Sequence, residues 1–180
     1  MKSKIIFLLP IMFVLQLSSI IAQNGFTNKE EAKNELVNGL KQGKWIEYVD
    51  PYWKITTKDS SKGYLLTVYK DNKPQEIQRG YYIIGKLWAE TPYADGKING
   101  IKKEYYESGK ILGEITYTDG KINGINKWYY ESGKIYRETP YTYGTRNGIE
   151  KWYFENGKIL SETNYVNGEK IEKWWKQNSL

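Results

Sequence analysis

Residues 120–143 read GKINGINKWYYESGKIYRETPYTY, and this stretch decides the fold because its pattern recurs every 24 residues along the chain. Glycine, glutamate and tyrosine columns all keep the same period. The aligned positions are Gly96, Gly120, Gly144 and Gly168; Gly100, Gly124 and Gly148; Gly85, Gly109, Gly133 and Gly157; Glu90, Glu114, Glu138 and Glu162; and Tyr93, Tyr117, Tyr141 and Tyr165. A fixed period of this length predicts a stacked-repeat architecture.

Each repeat predicts one β-hairpin. In the copy that begins at Gly100, residues 101–106 form a strand, 107–110 a turn with a central glycine, and 111–117 the return strand. Residues 119–124 connect this hairpin to the next one. A lone hairpin is marginally stable in water, so each copy must pack on its neighbours. The predicted fold class is therefore all-β, with tandem stacked β-hairpins forming an elongated, twisted, single-layer antiparallel sheet.

The repeat register also sets the predicted domain boundaries. Residues 1–22 form a signal peptide and residues 23–38 an N-terminal segment, in which Thr27-Asn28-Lys29-Glu30 predicts a capped short helix to about Asn34. The repeat array covers residues 39–175, with nine extra residues in its first hairpin, and 176–180 form a C-terminal tail. The units of the array are 39–71, 72–95, 96–119, 120–143, 144–167 and a partial unit 168–175.

The N-terminus has the pattern of an export signal. Lys2 and Lys4 precede a mostly apolar run over residues 5–17, and small residues before Gln23 suit cleavage after Ala22. The alternative is an uncleaved membrane anchor, although the run is short for a bilayer span. We therefore expect a periplasmic or secreted protein that has no transmembrane segment once the signal is cleaved.

The composition excludes several classes of site. The chain has no cysteine and no histidine, so it offers no disulfide, thiolate nucleophile, imidazole base or ordinary zinc site. The formal charge of +6 falls by two, to +4, when residues 1–22 and their two lysines are removed. Basic residues alternate with glutamates throughout, which indicates a solvated face and argues against a nucleic-acid partner. The sequence predicts no metal and no cofactor.

The repeated glutamates Glu114, Glu138 and Glu162 are candidates for paired catalytic carboxylates, but a catalytic pair needs two unlike environments. A repeating column supplies equivalent ones. We therefore predict that the protein is not an enzyme and has no catalytic residues, and that these glutamates satisfy backbone or lysine partners. A hydrolase is the alternative.

Aromatic rings are the candidate binding residues. In the first strand of a repeat, alternation places Glu150, Trp152 and Phe154 on the side opposite Lys151. Rings at such positions either pack on one another or bind a partner, and a single-layer sheet leaves part of the row exposed. The candidate partner-binding aromatics are Trp128, Trp152, Trp174, Tyr106, Tyr130 and Phe154.

These columns resemble the MORN repeat in its bacterial variant. The resemblance rests on Gly120, Gly124, the run Trp128-Tyr129-Tyr130, Gly133, and Glu138 with Tyr141, and it covers residues 39–175. It implies successive β-hairpins that form a long twisted sheet with a groove, and an association with protein binding or lipid contact. The chain is also similar to exported proteins grouped with the YwqK-type antitoxin family, which implies neutralisation of a partner.

Together these patterns predict an exported, non-catalytic protein–protein interaction module of the bacterial envelope or extracellular space. One alternative is a module that binds envelope polysaccharide or lipid headgroups. A second is an antitoxin-like protein that neutralises a toxin.

Overall fold

The structure is a computed structural model that describes residues 26–171. It confirms the predicted all-β class, because consecutive strands pair antiparallel in one continuous sheet. The signal peptide 1–22, Trp174 and the C-terminal tail lie outside the described residues. The strands are β1 (Glu35–Val37), β2 (Leu40–Val49), β3 (Ile55–Thr56), β4 (Gly63–Lys70), β5 (Lys73–Tyr82), β6 (Leu87–Ala94), β7 (Lys97–Ile98), β8 (Gly100–Tyr105), β9 (Ile111–Thr118), β10 (Lys121–Ile122), β11 (Gly124–Tyr129), β12 (Ile135–Thr142), β13 (Thr145–Arg146), β14 (Gly148–Tyr153), β15 (Ile159–Val166) and β16 (Glu169–Ile171).

The strand order follows the chain. The main path runs β1-β2-β4-β5-β6-β8-β9-β11-β12-β14-β15-β16, and the two-residue strands β3, β7, β10 and β13 pair with β2, β6, β9 and β12. The predicted hairpins of the repeats are therefore confirmed, including the first one, whose insertion contains β3 and a 3₁₀ turn. At ~4.8 Å between neighbouring strands, the main path extends over roughly 50 Å.

The connectors between hairpins belong to the sheet. Asp119 and Gly120 form a tight turn with φ values of 49° and 81°, a conformation that glycine adopts without strain. Lys121 and Ile122 then pair at once with the preceding strand β9, and the amide of Asn123 donates to the Thr116 carbonyl at 2.9 Å. Each connector thus fixes the register of the next hairpin against the last one.

The N-terminal helix prediction was wrong in extent. Only Lys29–Glu31 are helical, as a single 3₁₀ turn, and Asn28 caps it by accepting from the Glu30 amide at 3.1 Å. The chain extends at Ala32, and the amide of Lys33 donates to the Lys44 carbonyl of β2. Pairing with the sheet edge therefore ends the turn, and β1 follows directly.

A small apolar core closes the N-terminal end of the sheet. Phe26 packs with Leu66 and Tyr64, and all three are buried. In addition, the guanidinium of Arg79 donates to the Phe26 carbonyl at 3.3 Å. The residues before β1 thus cover one face of the first hairpins. Within the described residues, the only helical segments are the 3₁₀ turns Lys29–Glu31 and Lys58–Ser60, and none of this length could cross a membrane.

One face of the sheet carries an alternating row of charges, which we call the charged face. Lys127 lies directly opposite Glu138 of its own hairpin and Glu114 of the hairpin before. The same arrangement holds in every hairpin from β5 to β15, so neighbouring charges in the row have opposite sign. The row is Arg79, Glu90, Lys103, Glu114, Lys127, Glu138, Lys151 and Glu162. Opposite charges at such cross-strand positions stabilise a sheet, each pair by roughly 0.2–1 kcal/mol.

Tyrosine hydroxyls join successive hairpins on this face. Tyr105 donates to Glu90 at 2.7 Å, and the same bond recurs from Tyr129 to Glu114 and from Tyr153 to Glu138, both at 2.8 Å. The residues of each pair are 15 positions apart, and the tyrosine belongs to the hairpin after the one that carries the glutamate. The glutamates were predicted to satisfy backbone or lysine partners. In the structure, Glu114 and Glu138 accept tyrosine hydroxyls of the next repeat, whereas Glu162 forms an ion pair with Lys151 at 3.6 Å, as predicted.

Burial and these bonds together raise the pKa values of the phenols. Burial, followed by the hydrogen bond to Glu114, raises the pKa of Tyr129 from its ordinary value of 10.0 to about 12. Burial and the bond to Glu138 raise the pKa of Tyr153 to about 12 in the same way. The pKa of Tyr105 is raised as well, by burial and by Glu90. The folded chain therefore holds these protons more tightly than the unfolded chain does.

This difference predicts a loss of stability in alkali. The contribution of these phenols to the free energy of unfolding should be fully present and constant below pH ~10, and it should be lost as the pH rises from about 10 to about 12, because the unfolded chain loses the protons first. Urea denaturation at a series of pH values measures this slope. The double variant Tyr129→Phe, Tyr153→Phe should show a shallower fall. The control Tyr143→Phe changes a side chain that is 66% exposed and should keep the wild-type slope. An equal slope in the double variant would contradict the assignment.

Candidate functional site

The other face of the sheet carries most of the rings outside the N-terminal core, and we call it the aromatic face. It is defined by Asn126, Trp128, Arg137 and Thr139 of β11 and β12 and by their equivalents in the other hairpins. Most of the buried side chains along its centre are polar, at Thr67, Thr91, Asn126, Thr139 and Glu150, and Ile115 is buried among them. Within the described residues, the insertion of the first hairpin lies over one end of this face, and elsewhere the larger side chains around the centre shield it.

A cation and two indoles form the middle of the aromatic face. Arg137 lies directly opposite Trp128 on one side and Trp152 on the other. Its guanidinium carbon is 5.3 Å from the ring centroid of Trp128 and 4.9 Å from that of Trp152, which is within the range of cation–π attraction. Trp152 is also fixed by its indole N–H, which donates to Glu150 at 3.0 Å.

Glycine makes room for this cluster. Trp128 lies opposite Gly113 of the preceding hairpin, and a Cβ at Gly113 would come within 2.8 Å of the Trp128 ring. A β-bulge at the end of the strand pair, between Trp128 and Tyr129, leaves Tyr136 as an extra residue of β12. Bulges redirect side chains, and here the Tyr136 ring centroid lies 6.0 Å from that of Trp152.

The two tyrosines among the candidate partner-binding aromatics, Tyr106 and Tyr130, also join successive hairpins. Tyr106 donates its hydroxyl to the Tyr129 carbonyl at 2.5 Å, and Tyr130 donates to the Tyr153 carbonyl at 2.7 Å. Burial raises the pKa of the Tyr106 hydroxyl. Phe154 occupies the same column without a hydroxyl, and its side chain is 49% exposed.

The structure therefore divides the predicted aromatic row. Trp128, Trp152, Tyr106 and Tyr130 are half-buried, and Phe154 alone of the described members is exposed. The indoles do not form a continuous ladder, because Arg137 stands between Trp128 and Trp152. Trp174 lies outside the described residues.

A second aromatic cluster lies where the first hairpin's insertion folds over the face. Trp53 has a φ of 63°, and its ring centroid lies 4.4 Å from that of Trp88. The Asp50 carboxylate fixes this turn by accepting from the amides of Tyr52 and Lys54. The two indoles border a pocket of about 220 Å³ that also contacts Thr91.

Two polar atoms on this face have no hydrogen-bond partner within residues 26–171. They are the indole nitrogen of Trp88 and the Nε of Arg137, and both are buried. Buried donors are normally bonded, so such atoms need an explanation. Both belong to the aromatic face, whereas the glutamates and the recurring tyrosines of the charged face are paired.

Sequence reasoning missed Arg137, Tyr136, Trp53 and Trp88. The signal for Arg137 was available, since the same column at a period of 24 holds Ala89, Gly113 and Ser161, and a lone arginine among small residues is an outlier. Its position between two indoles requires the cross-strand register. Trp53 lies in the insertion, where the repeat pattern gives no information.

Within the part of the chain that the structure describes, no cluster of three or more acidic side chains could hold a metal ion. Three segments, residues 98–119, 122–143 and 146–167, match the family model described as a MORN repeat variant. They coincide with the hairpins β7–β9, β10–β12 and β13–β15. No curated protein matches the chain.

The packing of Trp128 on Gly113 can be tested directly. The change Gly113→Ala should lower the free energy of unfolding by about 1–3 kcal/mol, because the added methyl displaces a packed indole. Chemical denaturation followed by tryptophan fluorescence measures the loss. Ser161→Ala is the matched control, since this residue of the same column already has a Cβ, and it should change stability by less than about 0.5 kcal/mol. Equal stability of the two variants would contradict the packing.

Proposed function

The chain carries MORN repeats, and we propose that it is an exported, non-catalytic module that binds another protein through its aromatic face. MORN repeats are commonly protein- or membrane-binding modules, and the three matched segments supply most of the aromatic face. The proposal of export rests on the sequence pattern of residues 1–22. It places the protein in the periplasm, in the envelope or outside the cell.

The single observation that carries the proposal is the difference between the two faces. On the charged face, glutamates and lysines alternate, and tyrosine hydroxyls donate hydrogen bonds to the glutamate carboxylates. The aromatic face instead holds indoles, an exposed Phe154 and two buried donors without partners. Tryptophan, tyrosine and arginine are the residue types that dominate binding energy at protein interfaces. This face therefore has the composition of an interface.

The arrangement of the glutamates supports a non-catalytic role. Glu90, Glu114 and Glu138 each accept a tyrosine hydroxyl at the same position of successive repeats. Glu114 and Glu138 have equivalent environments, and Glu90 differs from them by an ion pair with Arg79. Acid–base catalysis by two carboxylates instead depends on environments that separate their pKa values. Their repeated bonds between hairpins give them a structural role.

Two narrower functions remain alternatives. The adjoining indoles of Trp53 and Trp88 beside a pocket favour a polysaccharide ligand, because indole faces pack on sugar rings. The resemblance to the YwqK-type antitoxin family favours a toxin as the protein partner. The two alternatives differ in what the isolated chain retains, a glycan or a single protein.

Affinity capture from exported fractions tests the proposal. Residues 23–180 are immobilised and exposed to periplasmic and secreted proteins, and in parallel to envelope polysaccharide and lipid vesicles. We expect specific retention of a protein, and a loss of roughly tenfold or more in Trp152→Ala, since central aromatics carry most interface energy. Phe154→Ala should also lose binding, and its exposed ring can be removed without damage to the fold.

Ile149→Ala is the matched control, because this exposed isoleucine lies on the charged face. It should keep full binding, and thermal melting should show that all three variants are folded. Retention of glycan or vesicles in place of protein would overturn the protein-binding function. Equal binding by the Trp152, Phe154 and Ile149 variants would overturn the assignment to the aromatic face.

A further inference from the structure

Arg137 is a cation that the repeat fold does not require. The equivalent positions of the other repeats hold Ala89, Gly113 and Ser161, and each of those hairpins forms the same strand pairs. An arginine at this position, in the centre of the aromatic face, therefore has another reason to be present.

The guanidinium of Arg137 forms no direct ion pair within the described residues. Among residues 26–171 it forms no ion pair, and its Nε is buried without a hydrogen-bond partner. Glu150, on the same face, accepts from Thr139 at 2.9 Å and from Trp152 at 3.0 Å. Glu138, the next residue in the chain, points to the opposite face and accepts from Tyr153. A partly buried cation of this kind is stabilised when an anion binds it.

The two indoles hold the guanidinium in place. Trp128 and Trp152 lie on either side of it, with ring centroids about 5 Å from its central carbon. A guanidinium is planar and carries its N–H donors around its edge, where they match the two oxygens of a carboxylate or phosphate. Because packing already restricts the Arg137 side chain, that side chain loses less conformational entropy when an anion binds it.

The surroundings favour a carboxylate of a protein. The lysines of the neighbouring strands, Lys127 and Lys151, lie on the charged face, so Arg137 is the one basic side chain of β11, β12 and β14 on the aromatic face. A single positive charge matches a singly charged carboxylate better than a phosphate of higher charge. Tyr130, Tyr136 and Phe154 nearby offer apolar contact area of the kind that protein interfaces use.

We propose that Arg137, held between Trp128 and Trp152, binds a carboxylate side chain in an acidic segment of the partner protein. This inference rests on the proposed protein-binding function and names the chemistry that the partner must carry. Without residues 1–22 the chain keeps a net positive charge, since +6 falls by the two lysines of that segment to +4, and this charge is complementary to such a segment.

The test uses residues 23–180 and a synthetic probe, a capped peptide of alternating glutamate and leucine. Its control is the peptide with glutamine in place of glutamate. Calorimetric titration should show binding of the glutamate peptide, which Arg137→Ser weakens roughly tenfold or more. Serine is tolerated at this position in the repeat that contains Ser161, so we expect the variant to fold. Should its melting curve show otherwise, Arg137→Lys keeps the charge but loses the planar donor edge, and it should also weaken binding.

Arg146→Ser is the matched control for charge. Arg146 is exposed, and its guanidinium lies over Tyr165, 5.1 Å from the ring centroid, so this variant removes the same charge outside the cluster. It should bind the glutamate peptide as the wild type does. An equal loss in the Arg146 variant, equal binding of the glutamine peptide, or no binding at about 1 mM peptide would overturn the proposal.

Two further titrations, with inorganic phosphate and with lipid vesicles, test whether Arg137 prefers another anion to a carboxylate. Binding of inorganic phosphate or of phosphatidylglycerol vesicles that depends on Arg137 and exceeds binding of the glutamate peptide would overturn the carboxylate assignment. Capture of the partner protein distinguishes failure of the protein-binding function from failure of the acidic-segment inference. If a protein is retained and lost in Trp152→Ala but kept in Arg137→Ser, the interaction function stands and the acidic-segment inference fails.

Discussion

The hydrogen bond from a tyrosine to a glutamate of the preceding hairpin is the interaction on which the sheet depends. Tyr129 reaches Glu114 at 2.8 Å, and the equivalent bonds flank it on either side. Two-stranded hairpins are marginal in water, so each repeat is stable only when its neighbours are folded. The bond is formed by side chains and joins consecutive repeats, and the alternating charges of Lys127 and its neighbours support it.

The two faces of the sheet therefore have different roles. Because the charged face joins successive hairpins from Glu90 to Tyr153, single positions of the aromatic face can carry groups that the fold does not need. Arg137 in a column of small residues and Phe154 in a column of bonded tyrosines are two such groups. The resulting surface combines indoles, a restrained guanidinium and unpaired donors. A ribbon of this kind can change its partner by substitution on one face while the other keeps the hairpins together.

Most of the fold could be predicted from the sequence, because the glycine, glutamate and tyrosine columns share one period. The partner of the glutamates could not, since it depends on cross-strand register: Tyr129 lies two positions beyond Lys127, which faces Glu114 directly, and its long side chain reaches the diagonal neighbour. The N-terminal helix was overestimated because pairing of Lys33 with β2 outweighs a local capping signal. Arg137 was missed because its neighbours come from three strands.

The most direct measurement of the central claim is a double-mutant cycle between Glu114 and Tyr129. Glu114→Gln, Tyr129→Phe and the double variant are compared with the wild type by urea denaturation at neutral pH. We predict that the losses of unfolding free energy in the two single variants are strongly non-additive, with a coupling free energy of about 1 kcal/mol or more, because the charged hydrogen bond is lost in either variant. A coupling near zero, equal to that between Glu114→Gln and the distant Tyr143→Phe, would contradict it.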